Sequence, residues 1–260
     1  MSAKPPCDLG GLSVLVTRPA HQSDGLCELI ESARGRPVRF PALEILGPSD
    51  KHAARTALAA ADHANILIFI SANAVQYAFP LLPGQLPLDI DIAAVGGATA
   101  RALSDAGLDP TLVPARMDSE GLLALPALES VKGKTVYILR GNGGRTLIRE
   151  VLRERGAEVR EVDVYRRQLP HHPKGVANLL KNWSRLVQVV TASSNQVLNN
   201  LFTILGEEGA EHLHSTPLIV VSQRMAELAL ARGCESLYVA NSARDEDVLA
   251  ALCEANGDIA

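Results

Sequence analysis

Short apolar runs alternate along this chain with amphipathic stretches of about ten residues. Residues 13–17 predict a strand. A helix follows over 22–33, where Leu26, Leu29, Ile30 and Ala33 share one face. Gly35 stops that helix, residues 38–40 start a second strand, and Pro41 breaks it. Residues 42–45 stay extended before the loop opened by Gly47-Pro48-Ser49. The same reading gives helices at 51–61, 98–106 and 119–125, strands at 66–70, 92–95 and 110–114, and a turn-rich surface segment at 80–87. Further strands are predicted at 135–139, 159–165, 186–191, 218–221 and 236–240. Helices are predicted at 145–155, from Asn195 onward and at 225–231, with Gly107, Gly156 and Gly233 as stops. In the 145–155 helix Leu147, Ile148, Val151 and Leu152 face inward and the charges outward. Such alternation predicts an α/β protein with doubly wound parallel sheets and right-handed crossovers.

The pattern also repeats. Val14-Leu15-Val16-Thr17-Arg18-Pro19 returns 122 positions later as Val136-Tyr137-Ile138-Leu139-Arg140-Gly141. Ser71-Ala72-Asn73-Ala74-Val75 returns at the same offset as Ser193-Ser194-Asn195-Gln196-Val197. Val95-Gly96, with Ala100 and Gly107, returns 126 positions later as Val221-Ser222, with Ala226 and Gly233. Two similar half-chains imply two similar lobes, and a cleft between lobes is a natural ligand site. A linear arrangement would divide the chain near Lys132. A crossed one would send residues 12–40 to the C-terminal half and 135–165 to the middle. Periodicity does not choose between them.

Composition narrows the function classes. Of 260 residues 47% are hydrophobic and 21% charged, as in soluble globular proteins. Only 3% are aromatic, so no base-stacking platform is evident, and a net charge of −4 argues against nonspecific nucleic-acid binding. Cys7, Cys27, Cys234 and Cys253 are scattered without a CxxC pair, and read as reduced thiols rather than a disulfide or a metal site. Residues 1–11 lack a signal-peptide apolar region, and no apolar run approaches the ~20 residues that span a bilayer. A soluble cytoplasmic protein is expected.

The candidate chemistry lies where strands end and helices begin, because ligands of open α/β sheets sit at the carboxyl ends of strands. The turn holding Ser71 and Asn73, and that holding Thr191, Ser193, Ser194 and Asn195, each put hydroxyls and an amide at a helix start. Helix capping explains any one of them. Recurrence in both halves adds the reading that free N–H groups there bind an anion with several charges. Arg140-Gly141-Asn142-Gly143-Gly144-Arg145 is the sharpest local motif, with glycines that admit a ligand to the backbone and two arginines flanking a helix start. It lacks the Gly-Lys-Ser/Thr of a P-loop, and Thr146 replaces the last glycine of GxGxxG. Arg149 and Arg153 read instead as a solvated helix face paired with Glu150 and Glu154. Tyr165 ends a strand beside Arg166 and Arg167, either as a sheet-edge aromatic or as a phenol able to donate a proton. Thr99, three residues after Gly96, is a helix-start residue or a ligand contact. His171 and His172 lie in a linker-like, solvent-exposed stretch. No G-x-S-x-G, HExxH or paired-carboxylate motif is present.

These residues give the chain its resemblance to the uroporphyrinogen-III synthase family. The matching features are Leu15-Val16-Thr17-Arg18-Pro19, Ser71-Ala72-Asn73-Ala74-Val75, and Ala94-Val95-Gly96 with Thr99-Ala100. Ile138 through Arg145 with Gly156, Val164-Tyr165-Arg166 and Val220-Val221-Ser222 complete the set, in order, over about residues 13–250. The resemblance implies two flavodoxin- or Rossmann-like lobes from an internal duplication, with the crossed connectivity: residues 1–40 and 174–260 in one, 50–165 in the other. Residues 41–49 and 166–173 would form a two-stranded linker. It implies a polycarboxylate substrate, hydroxymethylbilane, closed with loss of water and inversion of its last ring to give uroporphyrinogen III. No cofactor, metal, nucleic acid or membrane is implied, and a monomer is expected. Tyr165 matches the tyrosine proposed to assist departure of the hydroxyl. Arg18, Gly96, Gly141, Asn142, Gly144 and the strand-end residues above are then substrate contacts. Ser222-Gln223-Arg224 lacks the threonine pair some relatives carry there, so Ser222 and Arg224 are expected to take that contact. The other classes the sequence allows are a two-lobed binding protein for a polyanionic small molecule and a flavodoxin-like nucleotide binder.

Overall fold

The computed structural model describes residues 7–84, 86, 89–144, 146–170 and 173–259. Strand β1 (Ser13–Val16) leads through helix α1 (Asp24–Ser32) to β2 (Arg36–Arg39) and the short β3 (Glu44–Leu46). Helix α2 (Lys51–Ala59) precedes β4 (Ile66–Phe69), α3 (Ala72–Ala78), β5 (Asp91–Ala94) and α4 (Gly97–Asp105). Two short helices, α5 (Ser119–Leu123) and α6 (Pro126–Glu129), lead to β6 (Thr135–Gly141), α7 (Leu147–Glu154) and β7 (Glu158–Gln168). Then come α8 (Pro173–Lys181), α9 (Trp183–Leu186), β8 (Val189–Ala192) and α10 (Asn195–Ser215), the last broken at Gly206 by a φ of +66°. The chain finishes with β9 (Leu218–Val220), α11 (Gln223–Ala231), β10 (Leu237–Val239) and α12 (Asp245–Ile259).

The chain divides into two compact units, one made of residues up to 44 together with 168 onward, the other of residues 45–167. The first holds a sheet in the order β10-β9-β8-β1-β2, with every pair parallel. Its two faces are buried separately, as the period-two alternation requires. Leu15, Val190, Leu218 and Val220 pack on α8, α10 and α11 through Leu179, Leu198, Leu201 and Met225. Val14, Val16, Val189 and Ile219 pack on α1 and α12 through Leu26, Ile30, Leu249 and Leu252.

The second unit is built around the order β3-β7-β6-β4-β5, where β7-β6, β6-β4 and β4-β5 are parallel. Leu67, Phe69, Tyr137 and Leu139 face α2, α3 and α4, while Ile66, Ile68, Val136 and Ile138 face α5, α6 and α7. Ile68 is in register with both Ala93 and Ile138, so β4 is a central, fully buried strand.

Several expectations are corrected. Cys7 and Cys253 form a disulfide, whereas Cys27 and Cys234 are buried free thiols. Spacing along the chain carried no trace of that pairing, because the partners are 246 residues apart and meet only through the docking of α12. Residues 110–114 do not make a strand; they contribute a single bridge between Leu112 and Ala93. Helices α8, α9 and α12 add to the elements expected. Strand runs into both segments expected to form the two-stranded linker: β3 lies within 41–49, and β7 runs through Arg166 to Gln168. His171 and His172 lie outside the described residues. No described helix is long and apolar enough to cross a membrane.

Candidate active site

Parallel pairing brings the carboxyl ends of the strands in each sheet to one edge, and helix starts follow them. In the unit of residues 45–167, Ser71 follows β4, Gly96 follows β5, Gly141 and Asn142 end and follow β6, and Tyr165 lies near the end of β7. Ser71 caps α3, its Oγ accepting from the Ala74 N–H at 3.1 Å. Gly96 is the N-cap of α4, in extended backbone. Thr99 is buried inside α4. Asn73 sits in the first turn of α3.

Tyr165 is only 1% exposed, yet it lines a cavity of about 340 Å³ together with Asn142, Asp163 and Arg166. Its phenol oxygen lies 3.2 Å from Ser71 Oγ and accepts a hydrogen bond from the Arg167 guanidinium at 3.1 Å. That guanidinium also stands over the ring, 5.6 Å from its centroid, as a cation–π pair. The Tyr77 ring stacks on that of Tyr165, with centroids 6.2 Å apart. A bulge at Arg140/Gly141 sets Gly141 opposite Tyr165, and the ring fills the space a side chain at 141 would need. Asn142 clasps the end of β7: its Oδ1 accepts from the Arg167 N–H at 2.7 Å, and its own N–H donates to the Tyr165 carbonyl at 3.1 Å. Among the described residues Arg166 Nε is buried with no hydrogen-bond partner.

Arg140 is committed to its own neighbourhood. It is 8% exposed, pairs with Glu161, and donates to the Gly141 and Gly143 carbonyls. Arg149 reaches the same carboxylate at 2.9 Å, rather than standing only against Glu150 on a solvated face. Arg153 donates to the Val159 carbonyl. Burial works to raise the Glu161 carboxyl, but the hydrogen bonds from Arg149 and Arg140 outweigh it and hold the group below its usual range. Gly143 and Gly144 adopt positive φ, +70° and +104°, in the turn that follows. Arg145 lies outside the described residues.

In the other unit Arg18 follows β1 and pairs with Asp245, with a second donation to the Ala243 carbonyl. Thr191 is buried and donates to the Leu15 carbonyl at 3.1 Å, and the Thr17 hydroxyl donates to the Thr191 carbonyl. These bonds stitch β8 to β1. Ser193 precedes Ser194, which caps α10, its Oγ accepting from the Val197 N–H at 3.2 Å. Among the described residues Asn195 Oδ1 is buried with no hydrogen-bond partner. Ser222 caps α11 through the Met225 N–H, and Arg224 is exposed beside it. Among the described residues no group of three or more His, Cys, Asp or Glu could hold a metal ion.

Residues 24–250 match the family model described as uroporphyrinogen-III synthase HemD. The chain is also 34% identical to uroporphyrinogen-III synthase of Escherichia coli (strain K12) over 247 residues, 93% of this chain and 100% of that one. The chain belongs to the uroporphyrinogen-III synthase family. It is 34% identical over 201 residues to the putative uroporphyrinogen-III synthase of Methanothermobacter thermautotrophicus, covering 75% of this chain and 79% of that one. A mutant uroporphyrinogen III synthase from the extremely thermophilic bacterium Thermus thermophilus superposes with a TM-score of 0.64 at 22% identity, over 95% of this chain and 99% of that one. Uroporphyrinogen-III synthetase from Helicobacter pylori 26695 gives 0.59 at 15% identity, over 92% and 97%. These two likenesses establish the α/β fold with largely parallel sheets.

For this member of the uroporphyrinogen-III synthase family, the strand-end region holds residues that sequence reasoning passed over. Arg167 touches the phenol and Asp245 occupies Arg18, while Asn142, expected as a substrate contact, also fastens the strand that carries the phenol. Arg167 did carry a signal, since it stands two positions from Tyr165, the spacing that puts side chains on one face of a strand. Asp245 carried none, being 227 residues from its partner.

Proposed function

We propose that the protein converts hydroxymethylbilane into uroporphyrinogen III, closing the linear tetrapyrrole with loss of water and inversion of its last ring. The observation that carries this reading is the match to the uroporphyrinogen-III synthase family over residues 24–250. The site chemistry supports it. An activated bilane closes unaided, but without inverting the last ring. The enzyme therefore needs to hold one conformation through a spiro intermediate more than it needs a strong nucleophile. Helix-start hydroxyls and N–H groups suit eight carboxylates, and Tyr165 supplies a phenol as hydrogen-bond donor.

In this reading Ser71, Asn73, Gly96, Asn142 and Gly144 offer substrate contacts at the strand ends of one unit, and Ser193, Ser194, Asn195, Ser222 and Arg224 at those of the other, whereas Thr99 is buried within α4 and Gly141 makes room for the Tyr165 ring. Thr191, Arg18 and Arg140 hold the strand ends from which those contacts project, because their polar atoms are already engaged. The chain acts as a monomer in the cytoplasm without a cofactor. The two sheets descend from one duplicated sheet, with crossed connectivity. Equivalent neighbours support this: β1 and β6 are flanked by β8 and β4 on one side and by β2 and β7 on the other, with β9 and β5 next out.

The test is isomer analysis of the product formed from hydroxymethylbilane. Isomer III is expected from the native protein, with a larger share of isomer I from Tyr165→Phe. Binding of the bilane with only isomer I formed, at the uncatalysed rate, would replace this reading with that of a binding protein. Isomer III formation unchanged in Tyr165→Phe would remove the phenol from the mechanism.

A further inference from the structure

We infer that Arg167, Tyr165 and Ser71 form a proton chain in which Ser71, not the tyrosine, hands the proton to the departing hydroxyl. The inference rests on the reaction proposed above. It starts from hydrogen-bond accounting. A phenol oxygen has one proton to give and lone pairs to accept with, whereas a guanidinium only donates. Arg167 therefore fills an acceptor position on the Tyr165 oxygen at 3.1 Å. The tyrosine is 1% exposed, so its own proton needs a partner, and Ser71 Oγ stands 3.2 Å away. Ser71 Oγ then accepts twice, from the phenol and from the Ala74 N–H at 3.1 Å. Its remaining proton is left to point outward. Ser71 is half-buried at the strand end and Tyr165 fully buried, so of the two hydroxyls Ser71 is the one that meets a ligand, with the phenol behind it.

The step balances within this chain. The bond between the terminal methylene carbon and its hydroxyl oxygen breaks, and the electron pair leaves with the oxygen. The Ser71 proton completes a water molecule, and the Tyr165 proton moves to Ser71 Oγ. The lone pair of the adjoining pyrrole nitrogen fills the emptied carbon. The phenolate left behind faces the Arg167 cation, which already lies at its oxygen and over its ring. The proton that the pyrrole carbon loses after ring closure returns along the same chain. Arg167 is thus a positioning residue, acting through Tyr165, and Ser71 is the catalytic contact.

The experiment measures kcat and KM for isomer III formation in Arg167→Gln, Arg167→Lys, Ser71→Asn, Tyr165→Phe and the double variant Arg167→Gln/Tyr165→Phe. Asparagine keeps the helix cap while removing the hydroxyl, which guards against misfolding at position 71. A positioned proton donor contributes about 10²-fold or more, so Tyr165→Phe and Ser71→Asn are each expected to lower kcat by that order with KM little changed. Arg167→Gln is expected to lower kcat about tenfold, Arg167→Lys to restore most of it, and the double variant to match Tyr165→Phe alone. A double variant slower than Tyr165→Phe by the full Arg167→Gln factor would overturn the chain, as would an effect of Arg167→Gln confined to KM. So would native kcat in Ser71→Asn beside an impaired Tyr165→Phe, since the phenol would then act without the serine. Native kcat in Tyr165→Phe itself would instead overturn the tyrosine's part in the proposed function.

Discussion

At the scale of single residues, Gly141 shows how a motif can be read correctly as special and wrongly as to why. Its place in a glycine-rich strand end suggested room for a ligand at the backbone. The room is taken by Tyr165: a Cβ at 141 would lie 2.4 and 2.5 Å from ring carbons of that side chain, far inside van der Waals contact. Gly141→Ala is therefore expected to push the ring off Ser71, to destabilise the fold by about 1–3 kcal/mol, and to lower the isomer III yield. Thermal unfolding and isomer analysis on one preparation check both effects, and a variant with native melting and native yield would show that the ring moves freely. Ser71 was legible as a candidate because turn position and recurrence coincide at it, Gly141 because it stands in a glycine-rich motif at a strand end, and Tyr165 because a phenol ends a strand beside two arginines. The commitments of Arg18 and Arg140 were not legible. An arginine at a strand end looks the same whether its partner is a ligand or, as at Arg140, a carboxylate on the next strand.

At the scale of elements, Glu161 joins three of them. It stands on β7, accepts from Arg140 on β6 and takes a second arginine, Arg149, from α7. A carboxyl held below its ordinary value stabilises the fold in full above the unfolded value of about 4.3, and that contribution is lost as pH falls through the lower native value. Glu161→Gln is expected to be less stable than the native protein near neutral pH and to lose less stability on acidification through that window. Denaturant melts at a series of pH values would reveal it, and parallel curves for the two proteins would exclude the cluster as an acid-sensitive joint. Strands were legible as elements because period-two apolar runs buried on both faces leave a continuous signal, as in β4 and β8. Helix α8 was obscured by its start, Pro173-Lys174-Gly175, which has the composition of a linker. What makes it a helix is tertiary: Leu179 packs in the core with Trp183, beneath the sheet.

At the scale of the whole molecule, the disulfide between Cys7 and Cys253 ties the first residues described to the last helix. A staple closing so long a loop is expected to contribute about 2–4 kcal/mol. Cys253→Ser should therefore melt at lower temperature than the oxidised protein and at nearly the same temperature as the reduced one. Equal melting of the oxidised protein and the variant would mean that the pairing adds nothing to stability. The α/β class and parallel sheets were legible in the sequence as a whole. The choice between linear and crossed pairing was not, because hydrophobic periodicity records which face a residue turns inward and carries no address for the strand beside it.

The unit made of both chain ends has a consequence for synthesis. As the polypeptide leaves the ribosome, β1 and β2 emerge early, yet β1's other neighbour, β8, lies more than 170 residues further on. The intervening stretch, residues 45–167, carries all it needs to close its own core first. Domains usually mature in the order in which they are made. Here β1 must wait, one of its edges unpaired, until the chain has been made past β8.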